Sequence, residues 1–288
     1  VRKNAEDGRL AFGTIDSFLL WRLTGGKAHL TDATNASRTL LFNIHNQKWD
    51  EDLLSFWRIP KVILPEVRDS SSFFGITKSG LFDSQIKINS MVGDQQAAAI
   101  GQACVRNGTI KATYGTGCFL LMNTGDKPII SNKGLLTTLA YRINGKPTYS
   151  VEGSIFSAGS TIQWLRDGLK LISSASETEE LAKSLSSNKG IYLVPAFTGL
   201  GAPSRNPTVR GTIFGLTLET GPAEIARASL EAVTYQSYDI IKAMESDLGQ
   251  PIQSLQIDGG MTDNDWFVQY LSNILNISFC PSPTDKPP

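Results

Sequence analysis

Leu255-Gln256-Ile257-Asp258-Gly259-Gly260-Met261-Thr262-Asp263-Asn264 opens with alternating apolar residues and breaks at a glycine pair. It then runs into Asp265 to Leu275, where apolar residues recur at helical spacing. Strand, glycine turn, helix is the building unit of a layered α/β protein. The same order occurs upstream. Ile86-Lys87-Ile88-Asn89-Ser90-Met91-Val92 alternates like a strand, Gly93 interrupts it, and Asp94-Gln95-Gln96-Ala97-Ala98-Ala99-Ile100 consists of helix formers. Asp94 therefore sits at a strand-to-helix junction. Between these units, Thr109 to Tyr114 and Cys118 to Asn123 read as a hairpin with Gly115-Thr116-Gly117 in its turn. Helices are expected over 158–170, 175–186 and 222–247, and strands over 190–195, 212–218 and 254–258. In the first hundred residues, Asp16 to Leu23 reads as a helix ended by Gly25-Gly26. A second, Asp50 to Trp57, stops before Pro60 because the residue preceding a proline avoids helical torsions.

The 288 residues suit roughly two domains, with a boundary expected near 101/102, where the pattern turns to strands joined by glycine turns. Hydrophobic residues make up 41% and charged residues 19%, which excludes a disordered or fibrous chain. Lys+Arg 27 cancels Asp+Glu 27, so neither nucleic acid nor a membrane is expected as the main partner. Cys104, Cys118 and Cys280 form no CxxC pair. Neither a disulfide framework nor a zinc site is indicated, and a cytoplasmic setting fits. No apolar run reaches the ~20 residues of a membrane span. A first residue that is not Met and an ending on Asp285-Lys286-Pro287-Pro288 lead us to expect a piece of a longer protein.

Two glycine turns carry the first chemical suggestion. Glycine lets backbone approach a phosphate closely, and a threonine hydroxyl or the amides of a helix start can donate to phosphate oxygens. Glycine also suits tight hairpins for purely structural reasons. Asp94 is the leading candidate for chemistry, because a carboxylate where a strand hands over to a helix faces the crevice in which α/β proteins bind ligands. It equally suits a helix N-cap. His29 and His45 stand near no nucleophile motif and read as surface or packing residues. Ser154, Ser157 and Ser160 surround a helix start where small residues would admit a flat ring or simply allow close packing.

Several separated stretches resemble one family. Thr31-Asp32-Ala33-Thr34-Asn35-Ala36-Ser37-Arg38-Thr39-Leu40-Leu41-Phe42-Asn43-Ile44, Gly93-Asp94-Gln95-Gln96-Ala97-Ala98, Tyr114-Gly115-Thr116-Gly117-Cys118-Phe119, Ile162-Gln163-Trp164-Leu165-Arg166-Asp167 and Asp258-Gly259-Gly260 are similar to the FGGY carbohydrate kinases. That family includes kinases of glycerol, xylulose, gluconate and fucose, and the glycerol kinases match most closely. Gly211 to Leu216, with Ala228-Ser229-Leu230-Glu231, resembles the family's C-terminal signature.

The resemblance implies an α/β fold of two actin-like (ribonuclease H-like) domains around a cleft. Residues 1–101 would be the later part of the polyol-side domain and 102–288 most of the nucleotide-side domain. It implies ATP with Mg2+ as cofactors, glycerol as acceptor and a homo-oligomeric full-length protein. Asp94 falls on the catalytic base. Gln95 and Phe119, with Asp94, fall on glycerol-facing positions, while Thr116, Gly159, Gln163, Gly260 and Asn264 fall on nucleotide-binding ones. No position is implied as a protein metal ligand. The family's first phosphate loop and most of its glycerol clamp have no counterpart here, so the piece alone is expected to be inactive. Ser204, Arg205 and Asn206 replace an aromatic pair and an acid in the family's GAPYWDPxARG loop. A kinase for another polyol or a ketose, or a non-catalytic actin-like nucleotide-binding module, are the alternatives.

Overall fold

The computed structural model describes residues 1–277; Cys280 and Asp285 to Pro288 lie outside the described residues. Thr109–Tyr114 and Cys118–Gly125 pair antiparallel, with Tyr114 opposite Cys118 across the Gly115-Thr116-Gly117 turn. Ser254–Asp258 lies parallel to Thr109–Tyr114, with Asp258 opposite Thr113. The sheet order is Ser254–Asp258, Thr109–Tyr114, Cys118–Gly125, Lys146–Ile155, Leu136–Ile143. The period of two sorts the side chains. Ile110, Ala112, Tyr114, Leu120, Met122, Leu255 and Ile257 join one apolar core with Phe267 and Leu271 of the helix Asp265–Leu275. Val233, Ile240 and Ile241 of the helix Pro222–Leu248 complete that side. This 27-residue helix is bounded as its sequence dictates. Pro222 takes the first position, the Gly221 amide donates to Glu224 Oε2 at 3.0 Å, and Gly249 ends the helix with φ 75°.

By internal packing the described chain forms two compact units. One comprises 1–101, 124–128 and 137–150; the other comprises 102–123, 129–136 and 151 onward. In the first unit, Leu30–Asp32 runs parallel to Glu66–Arg68, and Ser71–Ile76 runs antiparallel to Lys87–Ser90. Its helices include Ile15–Leu23, Glu51–Trp57 capped by Asp50, and Asp94–Gly101. Ala33, Ala36, Phe42, Leu139 and Tyr149 form one of its apolar clusters. A largely buried ion pair, Arg142 Nε to Asp69 Oδ1 at 2.6 Å, ties the segment around 142 to the body of that unit.

Three expectations are revised. The strand expected over 212–218 ends at Phe214, because Gly215 adopts φ 81° with its backbone hard against the Gly190 carbonyl. The helix expected over 158–170 is α-helical only through Gly159–Gln163, then widens into a π turn over Trp164–Gly168. Leu136–Ile143 and Lys146–Ile155 were not expected as strands. They are joined at Asn144-Gly145, both with positive φ (52° and 72°), the geometry that favours this dipeptide in hairpins. No described helix is long and apolar enough to cross a membrane.

Candidate functional site

Parallel registry of Ser254–Asp258 with Thr109–Tyr114 brings both glycine turns to one edge of the sheet. Gly259 (φ 96°) then lies so close to the Tyr114 backbone that a Cβ there would sit 2.5 Å from the Tyr114 carbonyl oxygen. Gly159 is pressed in the same way onto Gly115, a Cβ being 2.6 Å from its carbonyl oxygen. The Gly159 amide donates to Gly115 O at 2.9 Å, and the Ala158 and Ser160 amides donate to Thr116 O at 3.0 and 2.9 Å. The start of the helix Gly159–Gln163 is thus satisfied by the carbonyls of the hairpin turn. These contacts enclose a cavity of about 450 Å³ in the second unit, lined by Thr116, Gly159, Gln163, Gly260 and Asn264. Segments nearly 150 residues apart in the chain meet there.

Thr116 and Gln163 are exposed, with no side-chain hydrogen bond among the described residues. Gly260 has open space where a Cβ would be. Asn264 is committed on both sides: its Oδ1 accepts from the Phe267 amide at 2.9 Å, capping the last helix, and its Nδ2 donates to Thr178 Oγ1 at 3.2 Å. Asn264 is therefore both a cap and a wall of the cavity. Sequence reasoning did not single out Arg166, Thr178, Glu179 or Asp263, which also line the cavity. Arg166 stood inside a quoted motif. It lies on the π turn, where the Leu169 amide reaches back to Trp164 O at 3.0 Å, a local widening that recurs at functional sites. Asp167 braces it with two 2.8 Å contacts. That pairing holds the Arg166 guanidinium above, and the Asp167 carboxyl below, their ordinary values.

Behind the turns the sheet carries a polar face. Lys111 is fully buried, and Gln102 Nε2 donates to Asp258 Oδ2. Burial pushes the Cys104 thiol up to about 11 and the Cys118 thiol well above its usual value, with Lys111 pulling each the other way. Both cysteines are free and buried, in keeping with a packing role. Among the described residues no group of three or more His, Cys, Asp or Glu could hold a metal ion.

Asp94 and Gln95 stand on the first unit, and Phe119 on the second, outside the lining of the cavity. The strand preceding Asp94 stops at Ser90, and a three-residue link leads to the helix that Asp94 opens. Asp94 is exposed, and its Oδ1 accepts from the Gln95 amide at 2.7 Å. Phe119 faces away from the apolar core, opposite Thr113, and is 41% exposed. His29 Nε2 lies 2.7 Å from the Phe12 carbonyl, a packing role. In the loop that departs from the family pattern, Leu200 and Asn206 pair through backbone hydrogen bonds of 2.8 and 3.0 Å, and Asn206 Oδ1 accepts from the Thr208 amide.

Residues 1–101 match the N-terminal domain, and residues 110–286 the C-terminal domain, of the FGGY family of carbohydrate kinases. A glycerol kinase of Gluconobacter oxydans is 61% identical over 275 residues, covering 96% of this chain and 54% of the relative. Glycerol kinase 1 of Pseudomonas aeruginosa is 56% identical over 278 residues, covering 96% of this chain and 56% of the relative. The crystal structure of Plasmodium falciparum glycerol kinase with ADP superposes with a TM-score of 0.91 at 40% identity, covering 99% of this chain and 57% of that one. The chain spans about half the length of the curated relatives it matches. With both family domains matched in order and the glycine turns gathered on one cavity, the chain belongs to the FGGY family of carbohydrate kinases and has its two-domain, actin-like α/β fold.

Proposed function

We propose that the protein carrying this chain transfers the γ-phosphoryl group of ATP to glycerol. The observation that carries this reading is the single cavity lined by Thr116, Gly159, Gln163, Gly260 and Asn264, in a chain so similar to glycerol kinases. ATP would lie against the two glycine turns, with the Thr116 hydroxyl donating to its terminal phosphates. Mg2+ would arrive bound to ATP, since it keeps water and phosphate ligands and needs only one or two protein carboxylates. Asp94 would orient the attacking hydroxyl of glycerol and take its proton late, as suits a loose phosphoryl-transfer transition state. Gln95 would hydrogen-bond the polyol, and Phe119 would cover its carbon chain. The boundary near 101/102 would separate the polyol side from the nucleotide side, in a cytoplasmic enzyme.

The test is ADP release by the complete protein with ATP and Mg2+, with glycerol, xylulose and gluconate offered in turn. Turnover should require glycerol. Asp94→Asn should lose about 10²- to 10⁴-fold in kcat while ATP still binds. Preference for xylulose or gluconate would replace the substrate; ATP binding without turnover on any acceptor would favour a nucleotide-binding module. An Asp94→Asn variant with more than about half the wild-type turnover is incompatible with a base there.

A further inference from the structure

Asp94 reaches outward from the first turn of its helix, and its only side-chain hydrogen bond among the described residues is to the amide of its own neighbour. Its position is therefore set by the backbone that presents it. That backbone is held by a residue distant in sequence. The Gly93 amide donates to Thr34 Oγ1 at 2.8 Å, and the Gly93 carbonyl accepts from the Ala97 amide at 2.8 Å. Both sides of the glycine are thereby tied.

The direction of the Thr34 bond is fixed by Asp32, which is fully buried. Asp32 Oδ1 meets the Asn35 amide at 3.0 Å and Asn35 Nδ2 at 2.8 Å; Oδ2 meets the Thr34 amide at 3.1 Å and the Ser70 hydroxyl at 2.7 Å. Both oxygens face N–H groups and so act as acceptors. The Thr34 hydroxyl, 2.9 Å from each oxygen, spends its single proton on them. Its lone pairs are left for the Gly93 amide. The Gln96 amide packs closely over Gly93, 2.7 Å from where a Cβ would be, and Gln96 is itself anchored through Nε2 to Leu139 O at 3.2 Å.

We infer that Thr34, oriented by the buried Asp32, is a positioning residue for Asp94, fixing the Gly93 peptide from which the carboxylate is presented. The inference rests on the reading of Asp94 as the base. A bond that only stabilised the fold would, on removal, lower the melting temperature without separating kcat from KM.

The experiment compares Thr34→Val, Thr34→Ala and Thr34→Ser in the complete protein by steady-state kinetics and by hydrogen exchange of the Gly93 amide. Thr34→Val should lower kcat about 10- to 100-fold, the scale of a misplaced catalytic group, with KM for glycerol and ATP within about twofold. Gly93 exchange should accelerate at least about tenfold as its acceptor is lost. Thr34→Ser should restore both. If Thr34→Val does not fold, Thr34→Ala against Thr34→Ser decides by the same criteria. Unchanged Gly93 protection, kcat within about threefold of wild type, or failure of serine to rescue would each overturn the inference. Asp94→Asn run alongside separates the two claims. If it stays active, the base assignment falls and the inference with it; if it is dead while Thr34→Val turns over normally, only the positioning role falls.

Discussion

Replacing Gly259 by alanine should destabilise the second unit far more than an added methyl usually does. Gly259 has φ 96° and ψ 161°, a region open essentially to glycine alone, which costs another residue about 1–3 kcal/mol. The new Cβ would also lie 2.5, 2.7 and 2.8 Å from the oxygen, carbonyl carbon and nitrogen of Tyr114. These are backbone atoms in a paired strand and cannot rotate away, so relief requires Ser254–Asp258 to part from Thr109–Tyr114. Overpacking of this kind adds about 1–3 kcal/mol. Together the two effects give roughly 2–6 kcal/mol against a typical domain stability of about 5–15 kcal/mol. For a unit of this size that corresponds to a fall in Tm of roughly 5–20 °C. Gly260→Ala is the matched control: nothing lies within 4 Å of its added Cβ and its φ is not left-handed. Its Tm should stay within a few degrees of wild type, while the methyl, projecting into the cavity, weakens ATP binding. Thermal unfolding with and without ATP measures both, since a ligand raises Tm only as far as it binds the folded state. A Gly259→Ala protein melting within about 2 °C of wild type would refute the claim that the two glycine turns are locked backbone to backbone.

Thr116→Ala should leave Tm nearly unchanged, because the hydroxyl is exposed and makes no protein hydrogen bond among the described residues. kcat/KM for ATP should nevertheless fall about 10- to 100-fold, the worth of a hydrogen bond to a charged phosphate. Glu224 supplies a pH test. Lys189 Nζ and the Gly221 amide, 2.9 and 3.0 Å from its oxygens, hold its carboxyl down to about 2. A carboxyl depressed in the folded state contributes stability above its unfolded pKa, and that contribution is lost as pH falls from about 4.5 toward about 2. Wild-type Tm should drop across that window more steeply than that of Glu224→Gln, and parallel Tm curves would remove Glu224 from the acid response.

What the sequence discloses here is what neighbouring residues decide among themselves. Asp50 caps the helix Glu51–Trp57 through its own side chain, and Gly115-Thr116-Gly117 turns between two strands whose alternation is plain. Asn144-Gly145 is equally local, a dipeptide suited to a two-residue hairpin turn that marks the strands on either side of it. The strand that stops at Phe214 is of another kind: Gly215 yields to the Gly190 carbonyl, 25 residues away. The π turn, by contrast, is local: Gly168 passes under the ring of Trp164 at the other end of the same turn, 2.8 Å from where a Cβ would be. Asn264 shows why a functional and a structural reading need not compete. An N-cap has to point its side chain at the start of a helix, and in an α/β protein that is where a strand has just ended and a cavity opens. One amide group can therefore cap Phe267, accept the orientation imposed by Thr178 and still form a wall of the site. Thr34 and Gly93 mark the limit. Each is ordinary in its own stretch, and only the fold brings the hydroxyl of one to the amide of the other across 59 positions.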